Sequence, residues 1–123
     1  MKSYKITVPG RGKPKERPRL VKGRVITPKT TLDYEKKVRE CAKEQNPGMT
    51  MIETKNIYFK IVIYMNNKVH GDIDNYIKSV QDGLNGTAYK DDKQIKHIEG
   101  FLFYDKENPR VEIEIIERDD TGC

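Results

Sequence analysis

Tyr4, Ile6 and Val8 alternate with Lys5 and Thr7, the period of a half-buried strand. Arg24 to Thr27 reads as a second short strand. Thr30 followed by Asp33 marks a helix start, after which Tyr34, Val38, Cys41 and Ala42 recur at i, i+4, i+7 and i+8. That stripe turns Glu35, Lys36, Arg39 and Lys43 outward, and Asn46 to Gly48 end the helix. Ile57, Phe59, Ile61, Ile63 and Met65 take alternate positions, and Tyr58, Val62 and Tyr64 between them are also large. This strand is therefore expected to be covered on both sides and to lie at the sheet centre. Ile73, Ile77, Val80 and Leu84 restore a helical stripe that stops near Asn85 and Gly86. After a polar turn at Lys90 to Lys93, Ile95 to Tyr104 reads as a strand with a bulge at Gly100, and Arg110 to Glu117 as its partner. These elements predict an α+β fold with two helices packed on a mixed, mainly antiparallel sheet of about four strands. One domain covers residues 1–123, with 118–123 as a frayed tail.

Composition narrows the class. Hydrophobic and charged residues each make up 35% of the 123 residues, so the core is small and self-association is a way to bury more surface. The longest apolar run, Ile61 to Met65, cannot span a bilayer, and the basic N-terminus lacks a secretory pattern. Cys41 and Cys123 form no disulfide or zinc pattern. Together these point to a reducing, cytoplasmic setting.

Charge position says more than its total of +5. Residues 1–30 carry ten basic side chains and one acid, Glu16, a net of +9; the remainder carries fourteen basic and eighteen acidic, a net of −4. Between Pro9 and Arg19, three prolines and two glycines alternate with Arg and Lys, which excludes a helix or a sheet interior. Residues 9–24 therefore read as a mobile basic loop, and Lys13, Lys15, Arg17, Arg19, Lys22 and Arg24, with Lys68, are the candidate DNA contacts. Such a loop binds phosphates by releasing counterions, with a log–log salt slope of roughly −0.9 per phosphate. The plain alternative is a solubilising surface.

Acids cluster elsewhere. Asp72 and Asp74 straddle the start of the second helix, and Asp91 and Asp92 stand in the turn after it. A helix of about 13 residues is roughly 20 Å long, so carboxylates at its two ends share an ion only if the chain folds back. Asn85 to Lys90 is long enough for that return. Three of these carboxylates could then hold Mg²⁺, which favours hard oxygen ligands and bridges carboxylates to phosphate. Lys78, one turn beyond Asp74, is placed to stabilise charge on a scissile phosphate. Each acid has a plainer reading: Asp72 as a helix cap, Asp74 with Lys78 as a surface pair, Asp91-Asp92 as an ordinary turn. A calcium loop is excluded because Tyr76 and Ile77 stand where its oxygen ligand and glycine belong. His70 and His97 lack metal-binding spacing.

The runs Gly71-Asp72-Ile73-Asp74-Asn75-Tyr76-Ile77-Lys78, Asp82-Gly83-Leu84-Asn85 and Tyr89-Lys90-Asp91-Asp92 together resemble the RusA family of crossover junction endodeoxyribonucleases. These are Holliday-junction resolvases often carried by prophages. The resemblance implies a homodimer that binds four-way junction DNA and nicks two opposed strands with Mg²⁺ or Mn²⁺. By position, Asp72, Asp74 and Asp92 match the metal-binding carboxylates, Lys78 the catalytic lysine, and Asp91 a flanking acid. Some relatives carry a dense arginine run before the first Asp, where this chain has only Lys68 and His70. Junction contacts are then expected to lean on the N-terminal loop. A non-catalytic basic nucleic-acid-binding module would explain that loop but leave the acids repelling DNA. A phosphatase of small substrates would have little use for a +9 segment.

Overall fold

The computed structural model describes residues 1–118. The elements run β1 (Ser3–Pro9), β2 (Arg19–Val21), β3 (Arg24–Ile26), α1 (Lys29–Gln45), β4 (Asn56–Met65), α2 (Ile73–Leu84), a 3₁₀ turn at Asp92–Gln94, β5 (Ile95–Tyr104) and β6 (Arg110–Arg118). Four strands form one sheet in the order β1-β6-β4-β5, and β2 and β3 form a small antiparallel sheet of their own. The fold is α+β. Arg118 closes β6 opposite Asn56, and the rest of the expected tail lies outside the described residues.

β4 is central, between β6 and β5. The expected pairing of β5 with β6 is corrected: β5 runs parallel to β4, and β6 pairs antiparallel with both β4 and β1. Helix α2 makes the crossover that parallel neighbours need. The Asp105 to Pro109 connection then passes the end of β4, where Asp105 N–H donates to Met65 O at 2.8 Å. Gly100 is not a bulge; the register shift falls at Ile57/Tyr58. Its lack of a side chain instead admits α2, since a Cβ there would lie 2.9 Å from Ile77 Cδ1.

The core lies between one sheet face and the two helices. Ile6, Val8, Phe59, Ile61, Ile63, Val111, Ile113 and Ile115 meet Val38, Ala42, Val80 and Leu84, all buried. The double cover expected for β4 is absent within the described residues: Tyr58, Val62 and Tyr64 are half-buried, and Phe101 and Phe103 on the same face are exposed. Arg110 stacks its guanidinium 3.8 Å from the Tyr64 ring centroid and satisfies part of that surface.

The basic segment divides into two parts. Residues 10–16 form a strap against α2, and the reading of the whole stretch as a free loop is corrected there. Gly12 is buried, Lys15 N–H donates to Asn75 O at 2.9 Å, and Ser79 Oγ donates to Lys13 O at 2.6 Å. α1 begins after Pro28 without a side-chain cap. The Thr30/Asp33 capping pair does not form, because the hydroxyls here hold the strap: Thr30 Oγ1 donates to Glu16 Oε1 at 2.6 Å and Thr31 Oγ1 accepts from Glu16 N–H. Beyond the strap, β2 and β3 form a hairpin. Among the described residues, no helix is long and apolar enough to cross a membrane.

Candidate active site

Asp72 occupies the N-cap position of α2 in extended conformation, but its side chain makes no capping hydrogen bond. Asp74 lies in the first turn, exposed. Among the described residues neither carboxylate has a hydrogen bond or ion pair, so neither the side-chain cap nor the Asp74–Lys78 pair forms, while both acids lie at the positive end of the helix dipole. The loop before them is braced. Arg11 donates to Asn66 Oδ1 at 2.7 Å, to Asn67 Oδ1 at 3.0 Å and to Val69 O, while Gly71 N–H donates to Tyr76 Oη at 3.0 Å. Lys68, in this loop, is exposed.

At the other end of α2 the chain does fold back. Gly86 takes a positive φ of 78°, its N–H donates to Tyr89 O at 2.7 Å, and the fully buried Tyr89 donates its hydroxyl to Gln81 O at 2.8 Å. The return lays the Asp91-Asp92 turn beside the helix. There the two acids take different work. Asp91 Oδ1 accepts from Lys93 N–H at 2.9 Å, and Gln94 Oε1 accepts from Asp91 N–H at 3.0 Å, a capping box that starts the 3₁₀ turn. Asp92 Oδ2 lies 3.1 Å from Lys78 Nζ.

Lys78 belongs to a chain of charges that runs from Asp92 to Glu35. Its ammonium also lies 3.3 Å from Asp82 Oδ1; Asp82 Oδ2 lies 3.0 Å from Lys15 Nζ, and Lys15 reaches Glu35 Oε2 at 2.9 Å. The ordering therefore couples strap, α1, α2 and the 3₁₀ turn. Glu35, expected to face outward, is buried because its carboxylate meets Lys15. Lys15 accordingly points inward to two carboxylates, unlike Lys13, Arg17, Lys22 and Arg24, which are exposed. The i, i+4 spacing of Lys78 and Asp82 is the sequence signal for the pair; nothing in the spacing signals Arg11 or Glu35.

The hydrogen bond to Asp92 chiefly raises the Lys78 ammonium above its ordinary pKa, with Asp82 adding to it against partial burial. Burial pulls Lys15 downward, but Glu35 and Asp82 together outweigh it and leave that ammonium raised as well. Both lysines are therefore charged at neutral pH.

Of the predicted carboxylates, Asp72 and Asp74 stand together at the helix start, and Asp92 is brought to Lys78, one turn along from Asp74. The three are not gathered: among the described residues no three His, Cys, Asp or Glu side chains are grouped to hold a metal ion. The donor chemistry nonetheless fits Mg²⁺, which commonly takes one or two carboxylates and completes its shell with water and phosphate. His70 hydrogen bonds to Tyr104 Oη at 3.1 Å, and His97 packs edge-on against Tyr58, so both rings serve packing.

Acids without a partner among the described residues at the start of α2, an acid held by Lys78 farther along that helix and a cationic hairpin continuing from the strap are groups of the kind that phosphate-ester chemistry uses. The pattern of the endodeoxyribonuclease RusA family matches residues 9–116, and the chain belongs to that family. A 46-residue stretch is 50% identical to the uncharacterized protein YqaN of Bacillus subtilis (strain 168), covering 37% of this chain and 32% of that protein. The match thus spans about a third of the length of this curated relative.

Proposed function

We propose that the protein is a Mg²⁺-dependent endonuclease, able also to use Mn²⁺, that nicks opposed strands of four-way DNA junctions as a two-fold homodimer in recombination and repair. The observation that carries this reading is the division of labour among the acids. Asp91 is committed to a cap, Asp92 is held by Lys78, and Asp72 and Asp74 have no structural partner among the described residues.

In this reading Asp72, Asp74 and Asp92 would hold the divalent ion, which would supply Lewis-acid charge at the scissile phosphate. The Lys78 ammonium, beside Asp92, would supply fixed positive charge to the phosphate oxygens. Asp82 keeps Lys78 on the correct side of α2 throughout. Exposed cations of the hairpin contact the phosphates of the arms, which position the substrate without reading its sequence. Two-fold symmetry presents two identical sites to two symmetry-related strands.

The test is incubation of the protein with end-labelled four-way, duplex and flap DNAs, with and without Mg²⁺. Paired nicks confined to the four-way junction and dependent on the metal are expected. Junction binding with no cleavage under any divalent ion would return the protein to the class of non-catalytic binding modules.

A further inference from the structure

The β2–β3 hairpin carries apolar side chains that the phosphate-binding role leaves unexplained. Leu20 and Val25 are directly opposite each other across the ladder and are 73% and 74% exposed. Val21 and Ile26 add 44% and 45%. Lys22 and Gly23 both take positive φ, 51° and 78°, which gives the two-residue turn whose twist matches its strands and keeps the ribbon narrow. Among the described residues the two strands hydrogen-bond in ladder fashion only with each other. Water is a poor neighbour for so many large apolar groups in so short a segment.

Charge decides the occupant. From Arg17 to Lys29 the sequence holds Arg17, Arg19, Lys22, Arg24 and Lys29 and no acid. A second copy of the ribbon would bring five like charges against these, whereas a polyanion complements them. Phosphates satisfy the cations but give nothing to Leu20 and Val25. Base faces do.

We infer that the hairpin is an apolar wedge, in which Leu20 and Val25 lie against unstacked bases at the branch point while the flanking cations hold the adjoining phosphates. The inference rests on the junction-nuclease reading and adds base contact to it. Inserted apolar side chains are an established way for proteins to unstack a base step, and a two-stranded ribbon fits a DNA groove. Placed at the crossover, the pair opens the junction where two strands must reach the two sites.

The experiment uses a synthetic four-way junction with 2-aminopurine at the branch point, in EDTA so that nothing is cut, and compares the wild type with Leu20→Ser/Val25→Ser and Lys22→Ala/Arg24→Ala. Wild-type binding should raise 2-aminopurine fluorescence. The serine variant should lose most of that rise and about tenfold in junction affinity while keeping the salt slope and duplex affinity of the wild type. The alanine variant should instead flatten the salt slope. Full fluorescence and affinity in the serine variant would overturn the wedge alone. A serine variant that sediments as a smaller species than the wild type would also overturn it, by assigning the apolar pair to a second copy. Wild-type protein that binds no junction removes the proposed function, and the wedge with it.

Discussion

Lys78 Nζ lies 3.1 Å from Asp92 Oδ2 and 3.3 Å from Asp82 Oδ1, so a single ammonium joins the middle of α2, its last turn and the 3₁₀ turn that follows. This links residues fourteen apart in sequence and accounts for how the acidic turn stays beside the helix. An ammonium and a divalent ion are alternative partners for the same carboxylate. Lys78 and the proposed ion therefore draw on the same acid, Asp92.

Lys15 tests the inner part of that network. Its side chain is 26% exposed and lies between Glu35 and Asp82, which are 11% and 18% exposed. Lys15→Met takes away the cation that Glu35 and Asp82 share, and leaves Asp82 only Lys78 among the described residues. We expect a loss of roughly 1–3 kcal/mol in urea unfolding. Junction affinity should change less than in a hairpin variant, because this ammonium faces the protein.

Hairpin cations behave differently. Arg17→Ala/Arg24→Ala removes two exposed charges, and the log–log salt slope of junction binding should become shallower by about 0.9 for every phosphate that is no longer neutralised. Fluorescence anisotropy titrations at several salt concentrations measure this. An unchanged slope would remove both residues from the DNA interface.

The contact between the helices rests on Gly83. A Cβ there would lie 3.1 Å from Glu35 O and 3.2 Å from Val38 Cβ, in the wall of α1. Ala usually favours a helix interior over Gly by about 1 kcal/mol. Here overpacking, typically about 1–3 kcal/mol, should win, so Gly83→Ala is expected to lower the urea midpoint. A raised midpoint would show that α1 moves aside freely.

Acid stability has a local source in the β5–β6 connection. Arg110 donates to Asp105 Oδ2 at 2.9 Å, and this bond chiefly holds the Asp105 carboxyl below its ordinary value of 3.8. A carboxyl depressed in the folded state adds stability that is present above its unfolded pKa and fades as pH falls through the folded value. Asp105→Asn should therefore lower the Tm near neutrality and make its decline between about pH 5 and pH 3 shallower. Parallel declines in both proteins would contradict the assignment.

Much of the fold was legible because strand alternation reports which residues share a face. Ile57, Phe59, Ile61, Ile63 and Met65, with Val111, Ile113 and Ile115, all face the core as their period requires. Neighbour order is a different matter. A period of two is satisfied equally by β5 beside β6 or beside β4, and what decides is the packing of Ile77 against Gly100 through the α2 crossover. Likewise, the proline and glycine content of residues 9–19 correctly excluded regular structure in the strap, yet could not show that backbone groups of Lys13 and Lys15 would be tied to α2. In the site, the spacing of Asp72, Asp74 and Lys78 was visible on one helix. The inward turn of Lys15 was not, because it depends on Glu35 being brought across from another helix.

Metal-dependent cutting by the acids at the start of α2 is tested most sharply by comparing Asp74→Asn with the wild type on a labelled four-way junction, measuring cleavage with Mg²⁺ and binding without it. The variant is expected to lose at least about a hundredfold in cutting while its junction affinity is kept or strengthened, since a repulsive charge is gone. A variant that cuts as fast as the wild type, or a wild type that cuts equally well in EDTA, would show that these carboxylates do not hold a catalytic ion.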